Sequence, residues 1–205
     1  MTASSENRTV LVALHYQNDV LHPDGKIKVG LSQDSPARQH VLQAAQSLLS
    51  RARALQLPIV HVRVAYRADY ADLITNAPIL RNVVAIGAMI DGEWGSQFYS
   101  SLAPHVDNPR EFIVKHTRIN AFYGSPLEEI LRKLSATRLL VAGIATHSVV
   151  ESTVRHAVDV GYEVMVAADA CAAADPDTHA ASLKSMSLIA QILHTPDLDQ
   201  HFPLV

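Results

Sequence analysis

The fold is decided by the stretch Arg138-Leu-Leu-Val-Ala-Gly-Ile-Ala-Thr-His-Ser-Val-Val-Glu-Ser-Thr153. Its first six residues, ending at Gly143, form a short apolar run, which is typical of a strand buried on both faces of a parallel sheet. The residues from 148 to 160 then fit a helix. A strand, a turn and a helix in this order predict one unit of a parallel α/β sheet.

Similar units recur on both sides of this stretch. We predict further strands at residues 9–15, 58–64, 112–115 and 163–168. Helices are predicted from residue 36 onward, with apolar positions three and four apart, and at residues 126–134 and 178–193. Strands that alternate with helices predict a Rossmann-like α/β fold, a three-layer α/β/α sandwich with a mostly parallel sheet. The length of 205 residues predicts a single domain over residues 1–205.

Composition excludes several classes of function. With 48% hydrophobic and 18% charged residues and no long unbroken apolar segment, the sequence does not predict a membrane protein. A formal net charge of -3, without a basic run, argues against nucleic acid as a partner. The eleven histidines are scattered, so we expect no metal site and no cofactor. Residues 1–8 lack the apolar core of a secretory signal, so we expect a cytoplasmic protein.

Three segments resemble the isochorismatase-like (cysteine hydrolase) superfamily, whose members use an Asp-Lys-Cys triad. The first is the stretch from Gly143 to Thr153, in which the family usually places its catalytic cysteine two residues after the position of His147. The second is Val10-Leu-Val-Ala-Leu-His-Tyr-Gln-Asn-Asp19, where the family has an aspartate two residues before the glutamine. The third is Phe112-Ile-Val-Lys-His-Thr-Arg-Ile-Asn-Ala-Phe122, which supplies the lysine.

The resemblance implies a triad with two replacements. Val149 stands at the cysteine position, His15 at the aspartate position, and Lys115 is the expected lysine. An aliphatic side chain cannot attack a carbonyl, so the sequence excludes a cysteine-dependent amidase. His15 is either an altered catalytic group or a residue that only lines the pocket. The one cysteine, Cys171, is expected to be a buried structural thiol.

Further contacts to a small-molecule substrate are expected around this triad. Candidates for substrate binding are Gln17, Phe122, Ala145, Thr146, His147 and Val149. Phe122 fits a pocket wall or simple core packing, and His147 fits a substrate contact or a helix-terminal residue. Because a helix begins near these residues, its unpaired N–H groups favour negative charge in the crevice.

Two functions remain open from the sequence. One is a hydrolase of this family that acts on a small carbonyl- or vinyl-ether-bearing metabolite without a cysteine nucleophile, with Lys115 and His15 in the site. The other is a catalytically inactive member that binds a small molecule or a protein partner. The resemblance also implies a homo-oligomer, a dimer or larger.

Overall fold

The computed structural model describes residues 8–27 and 35–202. Most of the polar amino-terminal segment therefore lies outside the described residues. The strands are β1 (Thr9–Leu14), β2 (Ile59–Val64), β3 (Glu111–His116), β4 (Arg138–Gly143), β5 (Glu163–Ala167) and β6 (Gln191–Leu193). The helices are α1 (Asn18–Leu21), α2 (Pro36–Ala54), α3 (Pro78–Ala85), α4 (Leu127–Lys133), α5 (Glu151–Asp159), α6 (Pro176–Met186) and α7 (Leu198–His201).

The six strands form one parallel sheet in the order β3-β2-β1-β4-β5-β6. This order confirms the predicted α/β fold. The central strand β1 is buried along its whole length, which explains why it reads as a continuous apolar run. The order of the strands reverses at β1, since the chain moves outward to β2 and β3 before it returns to β4. Ligands in such sheets bind at the carboxyl ends of the strands beside this reversal.

Gly143 permits the close approach of β1 and β4 at this end of the sheet. Its φ is 151°, and a Cβ atom placed there would overlap the backbone of Leu14. A helical segment follows at Thr146–Val150, in which the hydrogen bonds are of π type, and it continues into α5. The predicted strand–turn–helix unit is therefore present, with an irregular first turn beside the strand ends.

The carboxyl-terminal part of the sheet corrects the prediction for residues 178–193. The predicted helix ends at Met186, and residues 191–193 instead form β6, which pairs with β5. The physical reason is length, because an apolar run of only a few residues fits a strand or a helix equally well. Leu188, between α6 and β6, is 89% exposed.

Residues 66–108, between β2 and β3, contain one short α-helix. Helix α3 begins at Pro78, and it buries Leu80 and Val83. The rest of the segment is turns and two short 3-10 helices. In the described part of the chain, no helix has the length and apolar character needed to cross a membrane.

Candidate functional site

A cavity of about 290 Å³ lies at the carboxyl ends of the central strands. Its walls are mostly apolar and come from the loop after β1, from α3 and from the turn after β4. Apolar lining residues include Val20, Ile27, Val64, Leu80, Val83 and Met89. A concave, largely apolar site with a few polar groups is the usual form of a small-molecule site.

His15 is the first polar group of this cavity. It follows β1 with a φ of 56°, a left-handed conformation that is uncommon for residues other than glycine, and its backbone N–H donates to Val62 O at 2.9 Å. The side chain lines the cavity and is 8% exposed. Its Nε2 lies 2.5 Å from Nε2 of His116, the last residue of β3. Two separate strand ends are thus joined by a buried pair of imidazoles.

The surroundings favour the neutral form of both rings. Burial, with a smaller contribution from His116, holds the pKa of His15 well below its ordinary value. Burial lowers the pKa of His116 to about 4, although the backbone of Asn120 raises it in part. Because each neutral imidazole has one donor and one acceptor nitrogen, the Nε2–Nε2 contact requires one ring to donate and the other to accept.

Which ring donates depends on the tautomers of the two imidazoles. Nδ1 of His116 is buried and has no hydrogen-bond partner among the described residues. In the tautomer in which Nε2 of His15 donates to Nε2 of His116, Nδ1 of His15 carries a free lone pair. No group among the described residues hydrogen-bonds to that Nδ1.

The turn after β4 forms the opposite wall. Ala145, His147, Ser148 and Val149 line the cavity, and the side chain of Val149 is apolar and 2% exposed. Ser148 N donates to Ala145 O at 3.1 Å. The N–H groups of Ala145 and His147, by contrast, donate to no described residue. Unpaired N–H groups at the beginning of a helix favour a partly negative oxygen nearby.

The similarity of this chain to known proteins extends over all six strands of the sheet. The model of the Isochorismatase domain matches residues 9–197. This chain belongs to the isochorismatase family.

The relatives of this family member differ in what is known of them. The uncharacterized isochorismatase family protein YecD of Escherichia coli is 31% identical over 139 residues, covering 68% of this chain and 70% of that protein. A probable inactive nicotinamidase of Arabidopsis thaliana is 31% identical over 116 residues, which are 56% of this chain and 57% of that protein. This chain thus spans little more than half of the Arabidopsis protein.

Solved structures agree on the fold. An isochorismatase family protein of Desulfovibrio vulgaris superposes with a TM-score of 0.83 at 24% identity, covering 95% of this chain and 98% of that one. The nicotinamidase/pyrazinamidase PncA of Bacillus subtilis gives a TM-score of 0.78 at 22% identity, with 91% and 100% coverage. At these identities the likeness establishes the isochorismatase-like fold alone.

Lys115, the expected lysine of the site, does not lie in the cavity of this family member. Its ammonium group forms an ion pair with Asp91 at 2.8 Å, and its side chain is 40% exposed. Arg63, its neighbour in register on β2, binds the same carboxylate at 2.6 Å. The physical reason is strand alternation: because side chains along a strand point to opposite faces in turn, Lys115 and His116 cannot share a face. His116 is the one that reaches His15.

Gln17 is also not a cavity residue. It is fully buried, and its amide nitrogen donates to Val64 O and Ser96 O, both at 2.8 Å. Its amide oxygen accepts from Val64 N at 2.9 Å. Because the backbone of two segments already uses this amide, the structure corrects the expected substrate contact to a structural role in joining β2 to the loop around Ser96.

Phe122 and Thr146 are corrected in the same way. Phe122 is 6% exposed and stacks on the imidazole of His156, with ring centroids 4.7 Å apart. Thr146 is fully buried, and its hydroxyl lies 2.8 Å from Nδ1 of His179. Neither lines the cavity. Of the expected site residues, four line the cavity: His15, Ala145, His147 and Val149.

Polar residues that line the cavity but were not expected from the sequence include Tyr66, Asn82 and Arg118, and the unexpected His116 contacts His15. The predicted third strand ended at residue 115, one residue before His116. Alternation was the signal that could have found it, because Val114 and His116 are the buried positions of β3, whereas Ile113 and Lys115 are exposed. Arg118 and Tyr66 follow strand ends in loops, where a sequence pattern does not indicate direction.

Cys171 is buried outside this cavity, and burial raises its pKa to about 12, which keeps the thiol protonated. Within residues 8–27 and 35–202, no group of three or more His, Cys, Asp and Glu side chains has the arrangement to hold a metal ion.

Proposed function

We propose that this chain hydrolyses a small carbonyl-bearing molecule without a covalent intermediate, with His15 as the general base. The observation that carries the proposal is the contact at 2.5 Å between Nε2 of His116 and Nε2 of His15, which lines a mostly apolar cavity. A general base needs a free lone pair within reach of the water it activates. We assign the tautomer in which Nε2 of His15 donates to His116, which leaves that lone pair on Nδ1 of His15.

The reaction follows from this arrangement. Nδ1 of His15 takes a proton from water as the water oxygen attacks the carbonyl carbon. The carbonyl oxygen becomes an oxyanion and accepts hydrogen bonds from the N–H groups of Ala145 and His147. When the tetrahedral intermediate collapses, His15 returns the proton to the leaving amine or alcohol. The products are a carboxylic acid and that amine or alcohol.

The lowered pKa values support one of the two substrate classes left open by the sequence. Hydrolysis of a vinyl ether begins with protonation of carbon, which needs a group that is protonated near neutral pH. His15 and His116 are both held neutral by burial. The protonated form of either ring is therefore scarce near neutral pH, which favours a carbonyl substrate over a vinyl ether.

Val149 limits the mechanism to direct attack by water. It occupies the cavity wall beside the unpaired N–H groups, where its methyl groups offer no nucleophile. Because a base with a lowered pKa accepts protons weakly, turnover should be modest compared with that of an enzyme whose base titrates near neutral pH.

The test is a hydrolysis screen of the purified protein against small amides, esters, carbamoyl compounds and vinyl ethers. We expect turnover of a carbonyl compound, and a loss of at least about 100-fold in His15→Gln and in His116→Gln. Lys115→Gln is the matched control, since it changes a cation on the same strand outside the cavity. Intact-protein mass spectrometry during turnover should show no acyl-enzyme. Turnover that is unchanged in His15→Gln would contradict the proposal.

A second candidate is a member that binds its ligand without converting it. The weak basicity of the histidine pair supports it, and one relative is named a probable inactive nicotinamidase. This candidate predicts saturable binding of a small carbonyl compound that is recovered unchanged after prolonged incubation. Binding that persists in His15→Gln, together with no turnover by the unmodified protein, would favour it over the hydrolase.

A further inference from the structure

Arg118 is the one charged side chain among the described residues that line the cavity. The described lining contains no aspartate or glutamate. None of the ion pairs of the described residues involves Arg118, so its charge has no protein counter-ion there. The guanidinium is half-buried, and without a carboxylate partner its charge is available to an anionic group in the cavity.

The position of Arg118 is fixed by a loop and leaves donors unused. Its Nη1 donates to Ile74 O at 2.8 Å, and its Nη2 donates to Asn76 Oδ1 at 2.9 Å. Both acceptors are neutral. A guanidinium has five N–H groups, of which these contacts use two. The remaining N–H groups are therefore available to a ligand, and the side chain is held in place before the ligand arrives.

Tyr66 adds a second unused donor on the same cavity. It is 2% exposed, and its hydroxyl hydrogen-bonds to no group among the described residues. Burial raises the pKa of Tyr66 to about 12, although the charge of Arg118 lowers it in part, so the phenol keeps its proton. Asp72 is the carboxylate that acts on Tyr66, but it does not line the cavity and accepts from Arg67 N at 3.0 Å.

We propose that Arg118 and Tyr66 together bind a carboxylate group of the ligand, so that the ligand is a small carboxylic acid with an apolar body. A carboxylate accepts two hydrogen bonds from a guanidinium and a third from a phenol, which matches the donors that the cavity leaves unpaired. The apolar body then lies against Leu80 and Val83 of α3. Only the orientation of the reacting carbonyl toward His15 rests on the proposed function; the carboxylate site does not.

The test compares acids with neutral molecules of the same shape. Affinities of benzoate and phenylacetate, and of benzamide and phenylacetamide, are measured by calorimetry in the His15→Gln variant, in which turnover is removed. We expect the acids to bind about tenfold or more tightly than the amides. Arg118→Gln should remove this preference, and Tyr66→Phe should reduce it about threefold or more. Added salt should weaken binding of the acids alone.

Arg81→Gln is the matched control, because Arg81 donates to the same loop, at Thr75 O, but is exposed and outside the cavity. It should keep the preference for acids. Arg118→Lys, which keeps the charge, should retain part of the preference and shows that the loop still folds.

Three results would overturn the assignment. They are equal affinity for acids and amides, an unchanged preference in Arg118→Gln, and no binding of any acid at millimolar concentrations. Each can occur whether or not His15 is a general base. Loss of the acid preference is therefore distinguishable from failure of the proposed hydrolysis, which is read from turnover of the unmodified protein.

Discussion

Lys115 and His116 are neighbours on β3, yet their side chains leave the sheet on opposite faces. The ammonium of Lys115 contacts Asp91 at 2.8 Å near the surface, whereas the imidazole of His116 is 1% exposed and contacts His15. One position along the strand therefore separates a surface cation from a site residue. Of these two neighbours, only His116 contacts a residue that lines the cavity.

The first prediction separates these two neighbours by mutation. Lys115→Ala should leave kcat/KM within about twofold and change the free energy of unfolding by less than about 1 kcal/mol, because its ion pair is partly exposed. His116→Ala should lower kcat/KM at least about 100-fold. Steady-state kinetics and urea unfolding measure both effects. A large loss in Lys115→Ala with an intact fold would contradict the placement of the site.

The second prediction concerns the pH dependence of the rate. Because burial holds the pKa of His15 well below 6.5 and that of His116 at about 4, the base stays unprotonated through mildly acidic pH. We expect kcat/KM to be flat from pH 8 to about pH 6 and to fall only at lower pH. An acidic limb centred near pH 6.5, typical of a solvated histidine, would show that the pair titrates normally.

The third prediction concerns stability in acid. A histidine whose folded pKa is lowered binds fewer protons in the native state than in the unfolded state between the two pKa values. The contribution of such a histidine to the free energy of unfolding is therefore largest above about pH 6.5. It falls as the pH drops toward about 4. For each such histidine the loss at pH 5 is on the order of 2 kcal/mol.

Urea unfolding at about pH 7.5 and about pH 5 checks this dependence. His116→Gln should show a smaller loss between the two values, because it removes one of the titrating groups. His40→Gln, at an exposed position of α2, should match the unmodified protein. A stability that is equal at both pH values would exclude neutral buried histidines.

The fourth prediction concerns the contact between β1 and β4. Gly143→Ala should lower the free energy of unfolding by at least about 2 kcal/mol, because its Cβ would overlap the backbone of Leu14 at a φ of 151°. Gly124→Ala is the control, since its φ is 67° and no atom lies within 4 Å of the added Cβ. In Gly124→Ala, the backbone conformation alone should lower the free energy of unfolding by about 1 kcal/mol. An equal loss of stability in the two variants would contradict the close approach of β1 and β4.

The fifth prediction uses a thiol as a probe of the cavity wall. A Val149→Cys variant should react with a small disulfide reagent in the native state, because position 149 lines the cavity. Cys171 should stay unreactive until the protein unfolds, since burial raises its pKa to about 12. Titration of thiols before and after denaturation should give one and two groups in the variant. Native reactivity of Cys171 in the unmodified protein would contradict its structural role.

Much of the site was predictable because sequence patterns mark strand ends. The end of β1 and the turn after β4 were located, and with them His15, Ala145, His147 and Val149. The prediction for the third strand missed His116 because this strand lies at the edge of the sheet. Its apolar run, Phe112-Ile-Val, predicts burial on both faces, but Ile113 is 48% exposed. Without an alternating pattern, the face of each following residue could not be read.

Gln17, Phe122 and Thr146 show a second limit. Each lies close in sequence to a true cavity residue, yet its side chain is used by the backbone of Val64, by the ring of His156 or by the imidazole of His179. Proximity along the chain indicates the neighbourhood of a site. Hydrogen bonds and packing between distant segments decide which side chains are free to meet a ligand.

The sequence by itself determined the parallel α/β fold, membership of the isochorismatase family and the absence of a thiol at position 149, because these depend on local patterns and on single residue types. The tertiary structure decided that His116 and not Lys115 meets His15, and that Arg118 and Tyr66 share the cavity. The physical reason is that strand register, and the positions of loops against the sheet, are fixed by contacts between residues far apart in the chain.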